Sequence, residues 1–309
     1  HISSWTYRLS ENNGNTWTGP ESDVTDLDSK DRFQWSSYQC KLPGKNGDYL
    51  HVVFTAYDDN RKHDPERYYN PRYQKAVSNE WKYNLYYVKI ELKTGEVSNF
   101  DGAKMETPID LDQANEKCLI WDTGWRGAGV PPDIVLDENG DPAFLHVLSE
   151  ESTESHNYYF VHRANGQWET SVITPSNHQW NSCHVSRDPG GVYHAYLVVG
   201  ENYVDTEWVE GKKAGSNFEK GQANYLDTGG YMDKHGGGNI EEWISRDKGN
   251  TWEKRRDILP DQTRYKDWKY NNIQPVTRPD GSVVEGMLLF YGWKDKDAPE
   301  AKAFLLHEE

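Results

Sequence analysis

The chain has 309 residues, a formal net charge of −16, 13 tryptophans and 20 tyrosines. Such acidity argues against nucleic acid and anionic membranes as partners, because their phosphates draw basic faces. No run approaches the roughly 20 apolar residues of a membrane-spanning helix, and three cysteines allow one disulfide at most. The aromatic residues outnumber what a modest core needs, so many of them are expected at a surface or cleft, where flat amphipathic rings meet a partner.

Strand signals run through the whole chain. They are short alternating stretches punctuated by Gly, Asn and Asp, and no long amphipathic helix interrupts them. Residues 1–27 read as the closing half of a four-stranded unit, because "ISSWTYRLS" begins in the middle of one. A unit over 33–110 holds "YLHVVFTAY" (49–57) and "YNLYYVKIEL" (83–92), with an insertion at 58–81 after its second strand. The clearest unit covers 131–174, with hairpin turns at "DENGD" (137–141) and "RANGQ" (163–167). The next runs from 180 to 259, turns at "RDPGG" (187–191) and "RDKGN" (246–250), and carries an insertion at 201–238. The last, 270–309, holds three strands. Asn-Gly, Asp-Gly and Pro-Gly supply the left-handed positions that tight hairpins need.

Repeated four-stranded units predict an all-β fold, a β-propeller whose blades stack because none buries both faces alone. The whole of 1–309 is expected to be one propeller domain of four to five blades, lacking N-terminal blades of a longer parent; a five-bladed ring whose last blade takes its fourth strand from the chain start is the other reading. An eight-residue pattern occurs twice, "SENNGNTW" (10–17) and "SRDKGNTW" (245–252), each time between a third and a fourth strand. It reads as an Asp-box: Asp247 or Asn12 caps the turn, Gly supplies the left-handed residue and Trp packs between blades. Its role is structural.

Candidate functional residues cluster at the channel-end positions. Arg126, in "WRGAG" (125–129), precedes an inner strand and suits a bidentate clamp on a carboxylate or sulfate; a surface ion pair is the plainer reading. His178, in "NHQWNSCH" (177–184), suits proton exchange, against the alternative of a hydrogen-bonded loop histidine. Trp125, Asn181, His235, Tyr270 and Asn271 are substrate-binding candidates, set against inter-blade packing or a flexible linker. His178, Cys183 and His194 form the metal-like set. The hairpin at 187–191 is expected to bring Cys183 or His184 opposite the region of His194, where thiolate and imidazole suit a structural zinc. A small buried cysteine is the competing reading, and a structural calcium on the acidic loops is the other metal reading.

From about 82 to 260 the sequence resembles the BNR-repeat family of β-propeller ulvan lyases, with its rhamnosyl-glucuronate lyase and α-L-rhamnosidase relatives. The resemblance lies in "YNLYYVKIELKTGEVSNFDG" (83–102), "KCLIWDTGWRGAGVPPDIVLDENGDPAFLHVLSE" (117–150), "NHQWNSCHVSRDPGGVYHAYLVVGE" (177–201) and "HGGGNIEEWISRDKGNTW" (235–252). It implies a seven-bladed propeller and an acidic polysaccharide held at one end of the channel. It also implies β-elimination with no cofactor required for the chemistry, and a secreted or periplasmic location. In such enzymes an Arg neutralises the uronate carboxylate while Tyr or His exchanges protons. Arg8, in "TYRLS", matches the neutralising Arg, and the His pair and Tyr belong to earlier blades. Two other functions stay open: a glycoside hydrolase, rhamnosidase-like or sialidase-like, and a non-catalytic glycan-binding propeller.

Overall fold

The computed structural model describes residues 4–27, 35–44, 46–58, 69–77, 81–153, 155–176, 179, 181–199, 203–204, 234–235, 239–258, 269–278, 283–293 and 301–307. They form antiparallel sheets in a propeller arrangement. Blade 1 is built from Trp35–Pro43, Tyr49–Asp58, Lys82–Glu91 and Val97–Ser98, with Leu119–Trp121 paired to the far end of its third strand. Blade 2 is Asp133–Leu136, Pro142–Ser149, His156–Ala164 and Gln167–Ser176. Blade 3 is Cys183–Arg187, Tyr193–Val199, Asn239–Ser245 and Glu253–Asp257. Blade 4 has three described strands, Lys269–Thr277, Val283–Trp293 and Ala301–His307. A hairpin from Ser4–Trp5 to Thr25–Asp26 precedes blade 1.

Hydrophobic clusters explain why the sheets stack. Each lies across a seam between successive units. Val24 and Leu27 of the first hairpin join Val52, Phe54 and Val88 of blade 1, and Val53, Leu85 and Tyr87 of blade 1 meet Ile134, Phe144 and Val161 of blade 2. Leu145, Val147 and Phe160 of blade 2 meet Val185, Ala195 and Leu197 of blade 3. Tyr196, Val198 and Ile240 then meet Ile273, Leu288 and Phe290 of blade 4. The alternation of a strand sends adjacent residues such as Tyr196 and Leu197 to opposite seams.

Both octapeptide turns close in the same way. At the second copy Gly249 N donates to Ser245 Oγ, and Thr251 N and Oγ1 donate to the Asp247 carboxylate. At the first, Gly14 N donates to Ser10 Oγ and Thr16 N to Asn12 Oδ1. The tryptophans differ. Trp252 packs edge-on against Phe160 of blade 2 at 5.1 Å and its Nε1 donates to Ser171 Oγ. Trp17 donates only to Gly14 O of its own turn, with no described blade against it, and stays 62% exposed. The same turn is therefore a seam element in one place and a surface hairpin in the other.

Candidate functional site

In a four-stranded blade the second-to-third turns and the blade-to-blade connections fall at one end, so the described part of the blade 1 insertion lies with the segments entering the inner strands. The described part of the blade 1 insertion, 69–77 and 81, folds over the entrance to blade 2. Trp81 Nε1 donates to Gln179 Oε1 at the entrance to blade 3, and its ring meets Tyr73 and His156 edge-on at 5.8 and 6.2 Å. Three blades are thus strapped by one indole. Gly127 lets it approach: a Cβ there would stand 2.9 Å from the Trp81 ring.

Trp125 and Arg126 sit against this strap, where Asn70 Nδ2 donates to Trp125 O, on a loop held by its own polar groups. Thr123 N donates to Asn84 Oδ1, Asn84 N donates to Thr123 Oγ1, and Thr123 Oγ1 donates to Arg126 O. Arg126 turns inward, 17% exposed. Its guanidinium lies 5.1 Å from the Trp121 ring and 5.2 Å from the Tyr159 ring. It donates to Thr123 O and Tyr159 Oη, and its NH1 is 3.6 Å from Glu150 Oε1, which also accepts from Tyr159 Oη. Arg126 is therefore already paired, and a ligand carboxylate must displace Glu150 to be clamped by it.

Lys82 is a second cation at this end, which the sequence reading passed over. It is 3% exposed, donates from Nζ to Gly129 O, and lies 4.7 Å from the ring of Tyr38 on the inner strand of blade 1. Tyr38 itself is exposed. His146 is fully buried nearby, and neither ring nitrogen has a hydrogen-bond partner among the described residues. Burial pushes its pKa down to about 3, helped by the charges of Lys82 and Arg126. Two cations, one of them paired with Glu150, thus stand beside this ring in a chain of net charge −16. An unpaired buried polar ring is costly. His146→Leu is accordingly expected to raise stability by about 1 kcal/mol in chemical unfolding; a loss of stability would show that the imidazole is bonded after all.

The channel wall carries a histidine–carboxylate pair. Asp133, at the start of the blade 2 inner strand, accepts at Oδ2 from His184 Nδ1 (2.8 Å) and Val185 N (2.8 Å) of blade 3. Cys40 of blade 1 reaches its Oδ1 at 3.6 Å. The His184 and Val185 bonds hold the carboxyl below its usual range despite burial. With Nδ1 turned to the carboxylate, His184 leaves Nε2 as its other ring nitrogen. A sequence separation of about fifty residues hid this pair.

The other expected residues are dispersed. Asn181 is 1% exposed and donates to Val198 O, so blade packing, not an open surface, uses its amide. Arg8 is exposed on the first hairpin and donates to Tyr7 O. His235 pairs with Tyr203 in the second insertion, and Tyr270 and Asn271 lie on the inner strand of blade 4, with only their backbones described. His178 lies outside the described residues. Of the expected metal set, Cys183 and His194 do not face each other: Cys183 pairs with Leu197, while His194 pairs with Ser186 three positions on. His194 Nδ1 binds Glu242 and its Nε2 faces Asp188 instead. Among the described residues no group of three or more His, Cys, Asp or Glu side chains is placed to hold a metal ion.

The chain is similar to ulvan lyases. It is 30% identical over 149 residues to Ulvan Lyase-PL25 of Pseudoalteromonas sp. (strain PLSV), covering 46% of this chain and 27% of that protein. It is 27% identical over 149 residues to the ulvan lyase of Alteromonas sp. (strain LOR), covering 46% and 28%. The matched stretch thus spans little more than a quarter of these relatives. No family model matches. The fold superposes on the solved PL25 ulvan lyase with a TM-score of 0.64 at 18% identity, covering 100% of this chain and 60% of that one. It superposes on polysaccharide lyase Uly1 with 0.53 at 11% identity, covering 98% and 53%. These likenesses support the propeller and a relation to polysaccharide lyases. No described helix is long and apolar enough to cross a membrane.

Proposed function

We propose that the chain belongs to a polysaccharide lyase acting on a uronate-containing, ulvan-like glycan. A base removes the C5 proton of the uronate, its electron pair forms the C4=C5 double bond, and the C4–O bond breaks as its oxygen takes up a proton. The similarity to Ulvan Lyase-PL25 carries this reading. One of the structures of like fold is a PL25 ulvan lyase bound to -[GlcA(1-4)Rha3S]-. The local chemistry supports it in two ways. Arg126, once Glu150 gives way to a ligand carboxylate, supplies positive charge in an acidic chain, and such fixed charge stabilises the developing enolate. His184, aligned by Asp133, is a proton-exchange candidate of ordinary chemistry. A polymeric substrate also suits a secreted or periplasmic enzyme.

Ulvan incubated with the protein should gain ultraviolet absorbance from the new double bond conjugated to the carboxylate. New reducing ends without that absorbance would identify a hydrolase. Binding without cleavage would support the second reading, a glycan-holding propeller, which the prior engagement of Arg126 by Glu150 favours.

A further inference from the structure

We propose that Trp125 is an aromatic platform that seats one pyranose ring of a polysaccharide at the loop end of the propeller. The proposal rests on the glycan reading above and names a contact that reading leaves open. Trp125 has φ +65, directly after Gly124 at φ +60. For a bulky aromatic residue that conformation is strained, and it persists only where neighbouring bonds over-determine it. Here they do. Asp122 Oδ1 accepts from Gly124 N, Arg126 N donates to Thr123 O, and buried Asn70 donates from Nδ2 to Trp125 O at 2.9 Å.

The left-handed pair decides which side chain faces water. Arg126 goes in, and the Trp125 indole remains 37% exposed. Its ring stands edge-on to Tyr83 at 5.3 Å and 6.4 Å from Trp35. Turning a charged guanidinium inward and a large apolar ring outward reverses what packing alone favours. A fixed, half-open indole beside two further rings is suited to the C–H face of a sugar, which lies flat against an aromatic surface. Exposed Tyr69 adjoins Asn70, and Lys82, whose backbone N–H donates to Ala128 O of the same loop, leads from Trp125 toward exposed Tyr38 on the inner strand of blade 1. The contact is uncharged, so it works in an acidic protein without a cation and is not screened by salt.

The test is titration with ulvan oligosaccharides of alternating rhamnose 3-sulfate and glucuronate, read by tryptophan fluorescence and calorimetry at low and high salt. Trp125→Ala should weaken binding about tenfold, equal to about 1.4 kcal/mol, with the same ratio to wild type at both salts. Trp125→Phe should retain most of the affinity. Asn70→Ala, which removes a hold on the loop and no part of the platform, should fall between. If Trp125→Ala does not fold, the contrast of Trp125→Phe with Trp125→Leu decides, and wild-type affinity in both overturns the platform. Wild-type affinity in Trp125→Ala from a chain that still cleaves ulvan overturns the platform and leaves the lyase. Tenfold weaker binding by a variant of a chain that never cleaves supports the platform and removes the lyase. No binding by the wild-type chain overturns both.

Discussion

Gly249→Ala is expected to destabilise the fold by about 3 kcal/mol or more, whereas Gly14→Ala, at the matching position of the other octapeptide, should cost about 1 kcal/mol. Both glycines are left-handed, at φ +94 and φ +85, so both substitutions incur the strain of a side chain in that region. Only Gly249 adds a collision, because a Cβ there would overlap the Phe160 ring of blade 2. At Gly14 the nearest atom to a new Cβ is in Trp17, at 3.7 Å. Phe160 is fully buried and also packs on Tyr193 at 5.0 Å, so it has nowhere to move. Urea unfolding of the two variants side by side measures the difference, and equal losses would show that the turn is not wedged into the seam.

Glu242→Gln should cost about 3 kcal/mol, the low end for breaking a buried ion pair because two of the partners reach solvent. The Glu242 side chain is 1% exposed on the third strand of blade 3. It accepts from His194 Nδ1 at 2.7 Å, Arg255 NH1 at 2.9 Å and Arg256 Nε at 2.5 Å. Burial raises its pKa, but the three donors prevail and bring it from 4.5 to about 2. Its contribution is therefore present above pH about 4.5 and is lost as pH falls toward about 2. His194 behaves in the opposite sense. Glu242, then Asp188, raise its pKa from 6.5, so its contribution is complete below about 6.5 and fades as pH rises through the raised value. Wild-type stability should peak between those limits and decline on both sides. Glu242→Gln should flatten the acid side, and an unchanged acid slope in the variant would rule this account out.

The blade pattern was legible because it rests on local chemistry. Gly140, Asn165–Gly166, Gly191 and Gly249 all take the left-handed conformations that the hairpin sequences require, and strands flank them at the expected places. Side chains that meet across seams were not legible. Asp133 joins His184 and Cys40 through tertiary approach of three inner strands, for which no spacing along the chain gives a sign. Lys82 was hidden by an irregularity: Asn84 is left-handed at φ +57, and the pairing with the second strand shifts between Phe54 and Ala56, so simple alternation misplaces what precedes it. Register also sets apart Cys183 and His194, two residues of the expected metal set. Arg187 faces Tyr193 across the turn, which puts Ser186, not Cys183, against His194. Trp125 reads in the sequence as a channel-end aromatic residue, but its exposure follows from a backbone conformation that residue preference disfavours.

Because the apolar clusters straddle seams, no single blade owns a core. Anyone grafting a blade into another propeller would have to transplant both facing surfaces, since half of each belongs to the neighbour. Thermal or proteolytic damage should spread accordingly: losing one sheet strips two walls at once, and the adjoining sheets lose their shelter with it.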